Sequence, residues 1–475
     1  MTTPPTREQA WLGLMSAGKR SFQQGNPGEA TTAYRAATGM MPDRVEGWVN
    51  LGSALFESGR YELAAAALQK AVAMKPGLMA SHLVLGDTLR MLGKWREASA
   101  SYHHAVSLQR APISLNKLAC ALRAENKPEL AEGLYREALE MDPGFTLARM
   151  NLATVQIELR RYDKAEEYLG ELAHLPLPPV ERHEIECAQL AVAEHRRLDR
   201  AITDLVEHDN PAPLEAALRN TPRLLMQPDE GLLASLQRYA DAAARLSNQP
   251  VPIDTDLPEE WPLIEAMFMI PLVNSVGEYR AIKAELGTGL KPTTQLLQSI
   301  NMEPAIKAAR ACQLDLHDPV KAELHLRHWH ALACNKVPGF EPGHFKFTQN
   351  WIPDNPTVRR VEPALASATF RHFIRDIYSK LPAGYARAAV VQMAIADLHV
   401  FADGNGRVAY TWLNRELEWA GLMPGLFHKR LGLEGELRKA RRAVRSSGGD
   451  LSPMVAVITS AQHYAREFCA ELATR

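Results

Sequence analysis

Cysteine is scarce in this sequence, and the cysteines that occur stand far apart from one another. There are five, an odd number, and no two of them form a CxxC pair. This pattern argues against a disulfide scaffold and against a zinc ribbon, since both need closely spaced or evenly numbered cysteines. We therefore expect reduced thiols, in the core or on the surface.

The sequence also lacks long apolar runs and an excess of either charge. No stretch of about 20 apolar residues occurs, so no membrane span is predicted. The N-terminal MTTPPTREQAW has neither the basic start nor the apolar core of a secretory signal, which predicts a cytoplasmic protein and leaves open secretion as an effector. The formal net charge of −1 argues against nucleic acid as the partner.

What is present is a repeat in the first 180 residues, with a period of about 34 residues. The repeats begin near Trp11, Val45, Met79, Pro112 and Thr146, and their turns fall at Gly25, Gly59, Gly93 and Asn126. Small residues recur at the eighth and twentieth positions, where they let two helices approach closely. The pattern resembles the tetratricopeptide repeat (TPR), which implies a helical superhelix of about five repeats.

Such arrays resemble peptide-binding and scaffold modules, whose concave face comes from the first helix of each pair. Asn50 and Asn151 occupy one equivalent position, where an amide can hydrogen-bond an extended peptide. The alternative is that both are tolerated polar residues on a helix surface. The resemblance implies a protein target bound through the concave face.

The chain is too long for one hydrophobic core, at 475 residues with 46% hydrophobic and 23% charged, so two or three domains are expected. Closely spaced prolines in NQPVPIDTDLPEEWP, residues 248–262, indicate an extended linker. We divide the chain into the repeat array at 1–178, a helical cap with a proline-rich linker at 179–258, and a C-terminal domain at 259–475.

A conspicuous motif, HVFADGNGR, follows an alanine-rich helical pattern in the C-terminal domain. Its defining residues are His399, Phe401, Asp403, Gly404, Asn405, Gly406 and Arg407. Asp-Gly and Asn-Gly are turn dipeptides, but a turn alone explains neither the histidine nor the arginine. The motif resembles the signature of Fic-family transferases, HPFxDGNGRxxR, and implies an all-helical Fic core with a short β-hairpin flap. The whole protein is then mainly α.

The resemblance gives each motif residue a role in phosphate chemistry. Gly404 and Gly406 let the loop curl so that its amides and the next helix, starting near Asn405, favour an anion. Asp403 is expected to hold Mg²⁺. Asn405 orients the group and Arg407 clamps a phosphate oxygen.

His399 is expected to be the catalytic base that takes the proton from an attacking hydroxyl, because imidazole titrates near neutral pH. Phe401 is interpreted as a core anchor that sets the angle of the loop. His328 and His330, on an upstream helical stretch, are interpreted as structural or surface histidines, since no further metal ligand is placed by spacing.

The flap is predicted in PGHFKFTQNWIP, residues 342–353, where it would add a strand to a target segment. The predicted target-binding residues are Phe345, Lys346, Phe347 and Thr348.

Two departures from the family pattern bear on the donor. Tyr410 stands where the second signature arginine is usual, so the binding of a triphosphate is weakened or rearranged. The tyrosine pair that many relatives place near the adenine is replaced by LGLEGELRKA, residues 431–440. Separately, the inhibitory glutamate motif is not cleanly present; its nearest candidate is Glu278. A basic run offers either a substitute phosphate clamp or a solvated face: Arg438, Lys439, Arg441, Arg442 and Arg445.

We therefore expect a Fic-type adenylyltransferase that moves AMP from ATP, with Mg²⁺, onto a Ser, Thr or Tyr hydroxyl of a target recruited by the repeats. One alternative is a different nucleotide or phosphate-linked donor, favoured by Tyr410. Others are a catalytically degenerate scaffold and an activity that removes the modification. The oligomeric state is left open, with a homodimer as one option.

Overall fold

The computed structural model describes residues 6–125, 127–246, 251–254, 257–268, 273, 275–286, 293–337, 341–346, 360–427 and 433–473. These residues form α-helices and short 3₁₀ helices, and no strand occurs among them apart from an isolated bridge. The predicted mainly α fold is confirmed. The second half of the predicted flap, including Phe347 and Thr348, lies outside the described residues, as does Asn126.

The described residues fall into two compact units, one up to Val192 and the other from Ala193 onward. The first unit consists of helix pairs, α1 Arg7–Gln23 with α2 Pro27–Met40, α3 Val45–Glu57 with α4 Tyr61–Met74, α5 Met79–Met91 with α6 Trp95–Leu108, α7 Pro112–Ala124 with α8 Pro128–Met141, and α9 Thr146–Glu158 with α10 Tyr162–Ala173. Four of the five repeat starts predicted from the sequence are the first residues of helices.

Small residues explain how closely the two helices of a pair approach. A Cβ atom added to Gly52 on α3 would lie 2.5 Å from Cγ of Leu68 on α4, so no side chain fits there. The turn residues Gly25, Gly59 and Gly93 have φ angles of 77°, 72° and 73°. This left-handed backbone favours glycine, as the repeat pattern predicts.

The boundary between the units falls within α11, Pro179–His208. The later helices of the described chain are α12 Ala212–Arg219, α13 Glu230–Ala243, α14 Trp261–Phe268, α15 Val276–Leu286, α16 Thr294–Ile300, α17 Met302–Ala311, α18 Pro319–Ala333, α19 Ala366–Asp376, α20 Tyr385–Leu398, α21 Asn405–Trp419, α22 Leu433–Ser446 and α23 Ser452–Ala473. Within the ranges given above, no helix has the length and apolarity that a membrane crossing needs.

The organisation between 193 and 258 differs from the cap and linker expected from the sequence. The apolar face of α13 belongs to the core of the second unit. The backbone N–H of Asp229, whose side chain caps α13, donates to Thr369 Oγ1 on α19 at 2.8 Å. Val251 O accepts from Met423 N at 3.0 Å, so the proline-rich segment pairs with the chain after α21. Burial of these groups makes the region part of the folded unit.

Helix α20 forms the centre of the second unit, and nearly all its residues are buried. Its alanine-rich sequence allows this, because small side chains let α13 and α21 pack closely on either side. The C-terminal end of this central helix delivers His399.

Candidate active site around His399

His399 follows the last residue of α20 and has φ 50° and ψ 52°, a left-handed conformation that ends the helix. The chain then forms a short loop and enters α21 through Gly404, with φ 81°. A Cβ at Gly404 would lie 2.7 Å from Nε2 of His330, so both backbone angle and space require glycine. The predicted helix, loop and helix are all present.

Asn405 holds the loop closed through both ends of its side-chain amide. Its Oδ1 accepts from Phe401 N at 3.0 Å and its Nδ2 donates to Phe401 O at 2.8 Å. The residue is 2% exposed. The sequence predicts that Asn405 orients a bound group; in the structure its amide is occupied in shaping the backbone.

His330, on α18, packs against the loop and hydrogen-bonds to it. Its Nδ1 accepts from Gly343 N at 3.0 Å, so Nε2 is the nitrogen that donates to Asp403 O, also at 3.0 Å. Its ring stacks on Phe401. Burial lowers the pKa of His330 to about 3 and keeps the ring neutral. The structural interpretation of this histidine fits its contacts.

Phe401 is fully buried and also meets the ring of Phe345, edge to face, with centroids 5.1 Å apart. The Arg327 guanidinium lies 3.7 Å from the centre of the Phe345 ring. Phe345 is therefore part of the core under the loop. This position corrects the prediction that its side chain contacts a target.

Lys346 is also buried, at 3% exposure, and its backbone N–H donates to Val400 O at 2.8 Å. Burial is the main reason that the pKa of Lys346 falls to about 7, and the charge of Arg360 adds to the effect. The side chain therefore lies inside the site, whereas the sequence predicts that it lies on a target-binding surface. The backbone hydrogen bond of Lys346 thus joins the edge of the predicted flap to the loop.

Asp403 lies at the open side of the loop, and Arg407, whose side chain is 13% exposed, lies next to it. The Asp403 side chain is 68% exposed, and its Oδ1 lies 3.6 Å from Arg407 Nη2 and accepts from Gly404 N at 2.5 Å. Gly406 is exposed, and no side chain caps the N-terminus of α21. Uncapped amides, an arginine and an exposed carboxylate are suited to a phosphate with a divalent cation.

The structure adds a buried carboxylate that sequence reasoning missed. Asp397, two residues before His399, accepts hydrogen bonds from Tyr239 Oη at 2.7 Å and from Arg445 Nη2 at 2.6 Å. Arg360 Nη1 lies 3.4 Å from the same carboxylate and also donates to Ala396 O.

His399 is surrounded by positive charge. Burial is the largest cause that lowers its pKa, to about 3, followed by the charges of Arg360 and Lys346 and, more weakly, Arg441. The proximity of the Ala396 backbone opposes this lowering of the pKa. The imidazole is consequently neutral at physiological pH and has one nitrogen available in its basic form.

Helix α22 turns part of its basic run inward. Arg438, Lys439 and Arg442 are exposed, whereas Arg441 and Arg445 are partly buried. When the Gln392 amide is oriented so that its nitrogen and its oxygen are both hydrogen-bonded, the nitrogen donates to Ala409 O at 3.0 Å and the oxygen accepts from Arg441 Nη2 at 2.7 Å. One face of the run is thus solvated and the other approaches α20.

Tyr410 is 6% exposed. Its hydroxyl donates to Gly425 O at 3.2 Å, and its ring meets Phe427 edge to face at 5.5 Å. The side chain belongs to the core.

In the first unit, Asn50 and Asn151 lie on α3 and α9, each the first helix of its pair, and both are half-buried. Asn151 Nδ2 donates to Asn116 Oδ1 on α7 at 2.9 Å. This bond links neighbouring repeats.

Comparison with known proteins identifies the first unit. Two family models of the tetratricopeptide repeat match residues 16–78 and 122–175, so the N-terminal helices form a TPR array. A comparison with curated proteins gives no match.

Several solved structures are similar to part of this chain. They include MamA 41-end from Desulfovibrio magneticus RS-1, at 16% identity over 38% of this chain and 97% of that one with a TM-score of 0.33. The thermophilic TPR protein TTC0263 from Thermus thermophilus has 17% identity over 38% and 99%, with a TM-score of 0.33. PilF from Pseudomonas aeruginosa has 17% identity over 46% and 93%, with a TM-score of 0.35.

Proposed function

We propose that the second unit transfers a phosphate-linked group, in the first instance AMP from ATP, to a Ser, Thr or Tyr hydroxyl of a protein bound by the TPR array. The observation that carries this proposal is the environment of His399. His399 ends α20 at the start of a glycine loop that leads into the N-terminus of α21, which no side chain caps, and burial and the charges of Arg360 and Lys346 lower the pKa of its imidazole. This combination suits proton removal beside a bound anion.

In the proposed reaction, His399 accepts the proton of the target hydroxyl as its oxygen forms a bond to the α-phosphorus. The bond from that phosphorus to the bridging oxygen breaks, and pyrophosphate leaves with the electron pair. A binding anion would offset the charges of Arg360 and Lys346 and raise the pKa of His399, which makes it a stronger base once the donor is present.

The N-terminal amides of α21 and Arg407 are proposed to bind the phosphate that reacts. Asp403 is exposed and fits Mg²⁺, a cation that usually takes one or two carboxylates and completes its shell with phosphate oxygens and water. Bound there, Mg²⁺ supplies neutralisation of phosphate charge. In the described ranges no group of three or more His, Cys, Asp or Glu side chains could hold a metal by itself.

The position of Tyr410 favours a second candidate, transfer from a donor other than ATP. Its side chain is buried and its hydroxyl donates to Gly425 O, and a phenol cannot form the bidentate charged contact that an arginine makes with a phosphate.

The test is transfer of label from a panel of α-labelled nucleotides with Mg²⁺, in a cell extract that supplies the target. When the intact chain is added, we expect label on a protein of the extract. When His399→Ala is added, we expect none. His463→Ala, which removes an exposed histidine on α23, is the matched control and should behave like the intact chain.

Absence of transfer from every donor would leave the TPR array as a protein-interaction module without chemistry. Equal transfer by His399→Ala and the intact chain would show that His399 is not the base. Transfer from a donor other than ATP would select the second candidate.

A further inference from the structure

The second residue of each TPR repeat is exposed on the first helix of its pair. Counted from the repeat starts given above, these residues are Leu12, Glu46, Ala80, Ile113 and Leu147. Because the repeats of such an array stack in the same way, side chains at equivalent positions lie side by side and form a row across the first helices. We call these five residues the second-position row.

The second-position row is mostly apolar. Leu12, Ile113 and Leu147 are 52%, 43% and 52% exposed, and Ala80 is also exposed. A single exposed apolar residue is ordinary on any protein, but apolar residues at the same position of several repeats form a strip that a partner can cover. The small side chain of Ala80 leaves room for a larger side chain of that partner.

Polar groups beside the row are already bonded within the array. Lys117 Nζ, one turn after Ile113 on α7, donates to both carboxylate oxygens of Asp87 on α5, at 2.7 and 2.8 Å. Asn151 Nδ2, one turn after the row on α9, donates to Asn116 Oδ1 on α7 at 2.9 Å. These bonds join neighbouring first helices into one surface. An acidic partner would have to compete with Asp87 for the lysine.

Glu46 is the acidic member of the row. Its side chain is exposed, and it forms no ion pair with any residue that the structure describes. Arg44, two residues earlier, is paired with Glu8 at 2.9 Å. Glu57, three turns further along α3, is also exposed and has no ion-pair partner in the same described ranges. A cation on the partner would complement this negative end of the surface.

The distance between repeats sets the spacing of the partner's side chains. Packed helices lie about 8 to 10 Å apart, and an extended chain advances about 3.3 Å per residue. Neighbouring members of the row therefore meet partner residues that are about three positions apart in sequence. A segment that crosses the whole row needs about 13 residues.

We propose that the second-position row binds an extended segment of the target protein that has apolar residues about three positions apart and a lysine or arginine facing Glu46. The inference rests on the proposed function in taking this segment as part of the protein to be modified. An acidic segment is disfavoured, because the row itself carries no cation.

The experiment is a selection of random displayed peptides of about 13 residues on the immobilised full-length protein with His399→Ala. We expect the enriched peptides to contain apolar residues at intervals of about three, together with a lysine or arginine, and few acidic residues. Selected peptides are then synthesised with a fluorescent label, and their Kd is measured by anisotropy.

Variants of the row identify the surface. Leu147→Glu and Ile113→Glu would bury a carboxylate against an apolar side chain, so the Kd of selected peptides should rise about tenfold or more. In a new selection, Glu46→Lys should replace the enriched basic residue by an acidic one. Leu130→Glu changes a leucine that is 60% exposed on the second helix α8, so it is the matched control and should bind like the intact chain. Melting curves check that each variant is folded.

Three results would overturn the proposal. They are enrichment of acidic peptides whose binding is lost in Lys117→Ala, equal binding of the selected peptides by Leu147→Glu and Leu130→Glu, and no enrichment of any peptide.

Peptide binding needs neither a donor nor His399, so the inference and the proposed function can fail separately. If peptides bind as expected and no label is transferred from any donor, the binding surface stands and the proposed chemistry fails. If label transfer to the target is unchanged in Leu147→Glu, the chemistry stands and the row does not recruit the target.

Discussion

The imidazole of His330 and the ring of Phe401 lie face to face, with centroids 3.7 Å apart and planes inclined by 3°. Because the two ring nitrogens of His330 also bond to Gly343 and Asp403, one side chain connects the helix α18, the start of the predicted flap and the motif loop. The loop is therefore held by a residue that lies outside the motif by about seventy positions.

Replacing His330 should loosen the loop. His330→Ala removes two hydrogen bonds and a buried ring, so the free energy of unfolding should fall by about 3 kcal/mol, measured by denaturant titration. His330→Phe keeps the stack and loses the bonds, and should lie between Ala and the intact chain. His328→Ala, whose ion pair is with the exposed Asp209, should cost less than about 1 kcal/mol. Equal losses for both alanine variants would contradict this account.

The pH profile of kcat/KM should reveal the depressed pKa of His399. A base with a lowered pKa stays neutral until the pH falls through that value, so the acid limb should lie well below 6.5, toward the value of about 3 in the free protein. Arg441→Gln removes one positive neighbour and should move the limb upward. An acid limb near 6.5 in the intact chain would show that His399 is not the group observed.

Tyr410 should contribute to stability rather than to donor binding. Tyr410→Phe removes the hydroxyl that donates to Gly425 O, and Gly425 O keeps its bond from Asn414. We expect a loss of about 1 kcal/mol in thermal or denaturant unfolding and unchanged nucleotide affinity. A clear loss of affinity in the phenylalanine variant would place the hydroxyl in the donor site.

Two glycines of the TPR array should respond in opposite ways to alanine. A Cβ at Gly86 would clash with the Tyr102 ring, so Gly86→Ala should destabilise by about 1 to 3 kcal/mol. At Gly133 on α8 nothing lies within 4 Å of an added Cβ, and Gly133→Ala should stabilise by roughly 0.5 to 1 kcal/mol. Melting curves of the two variants check both signs.

Local pattern was enough to predict the helices and the loop. The helix starts at Val45, Met79 and Thr146 follow from a period that repeats within the chain, and α21 begins at Asn405 because a glycine loop precedes it. Left-handed backbone at Gly59 follows from the same local rule.

The surroundings of His399 could not be predicted in this way. Tyr239 and Asp397 are 158 residues apart in sequence, and no periodicity links them. Alternation predicts an exposed side for the flap, but tertiary contacts decide burial, and the bond from Lys346 to Val400 turns that residue inward. For α22, periodicity identifies a basic run but cannot say that Arg441 and Arg445 are the members that face α20.

The left-handed backbone of His399 also affects how the protein responds to engineering. Glycine takes this conformation without penalty, whereas a histidine pays about 1 kcal/mol or more for it. A screen for thermal stability alone therefore selects variants that lack the imidazole on which the proposed chemistry depends. Stability and activity are in conflict at this position, and a consensus or stability-guided redesign should keep position 399 fixed.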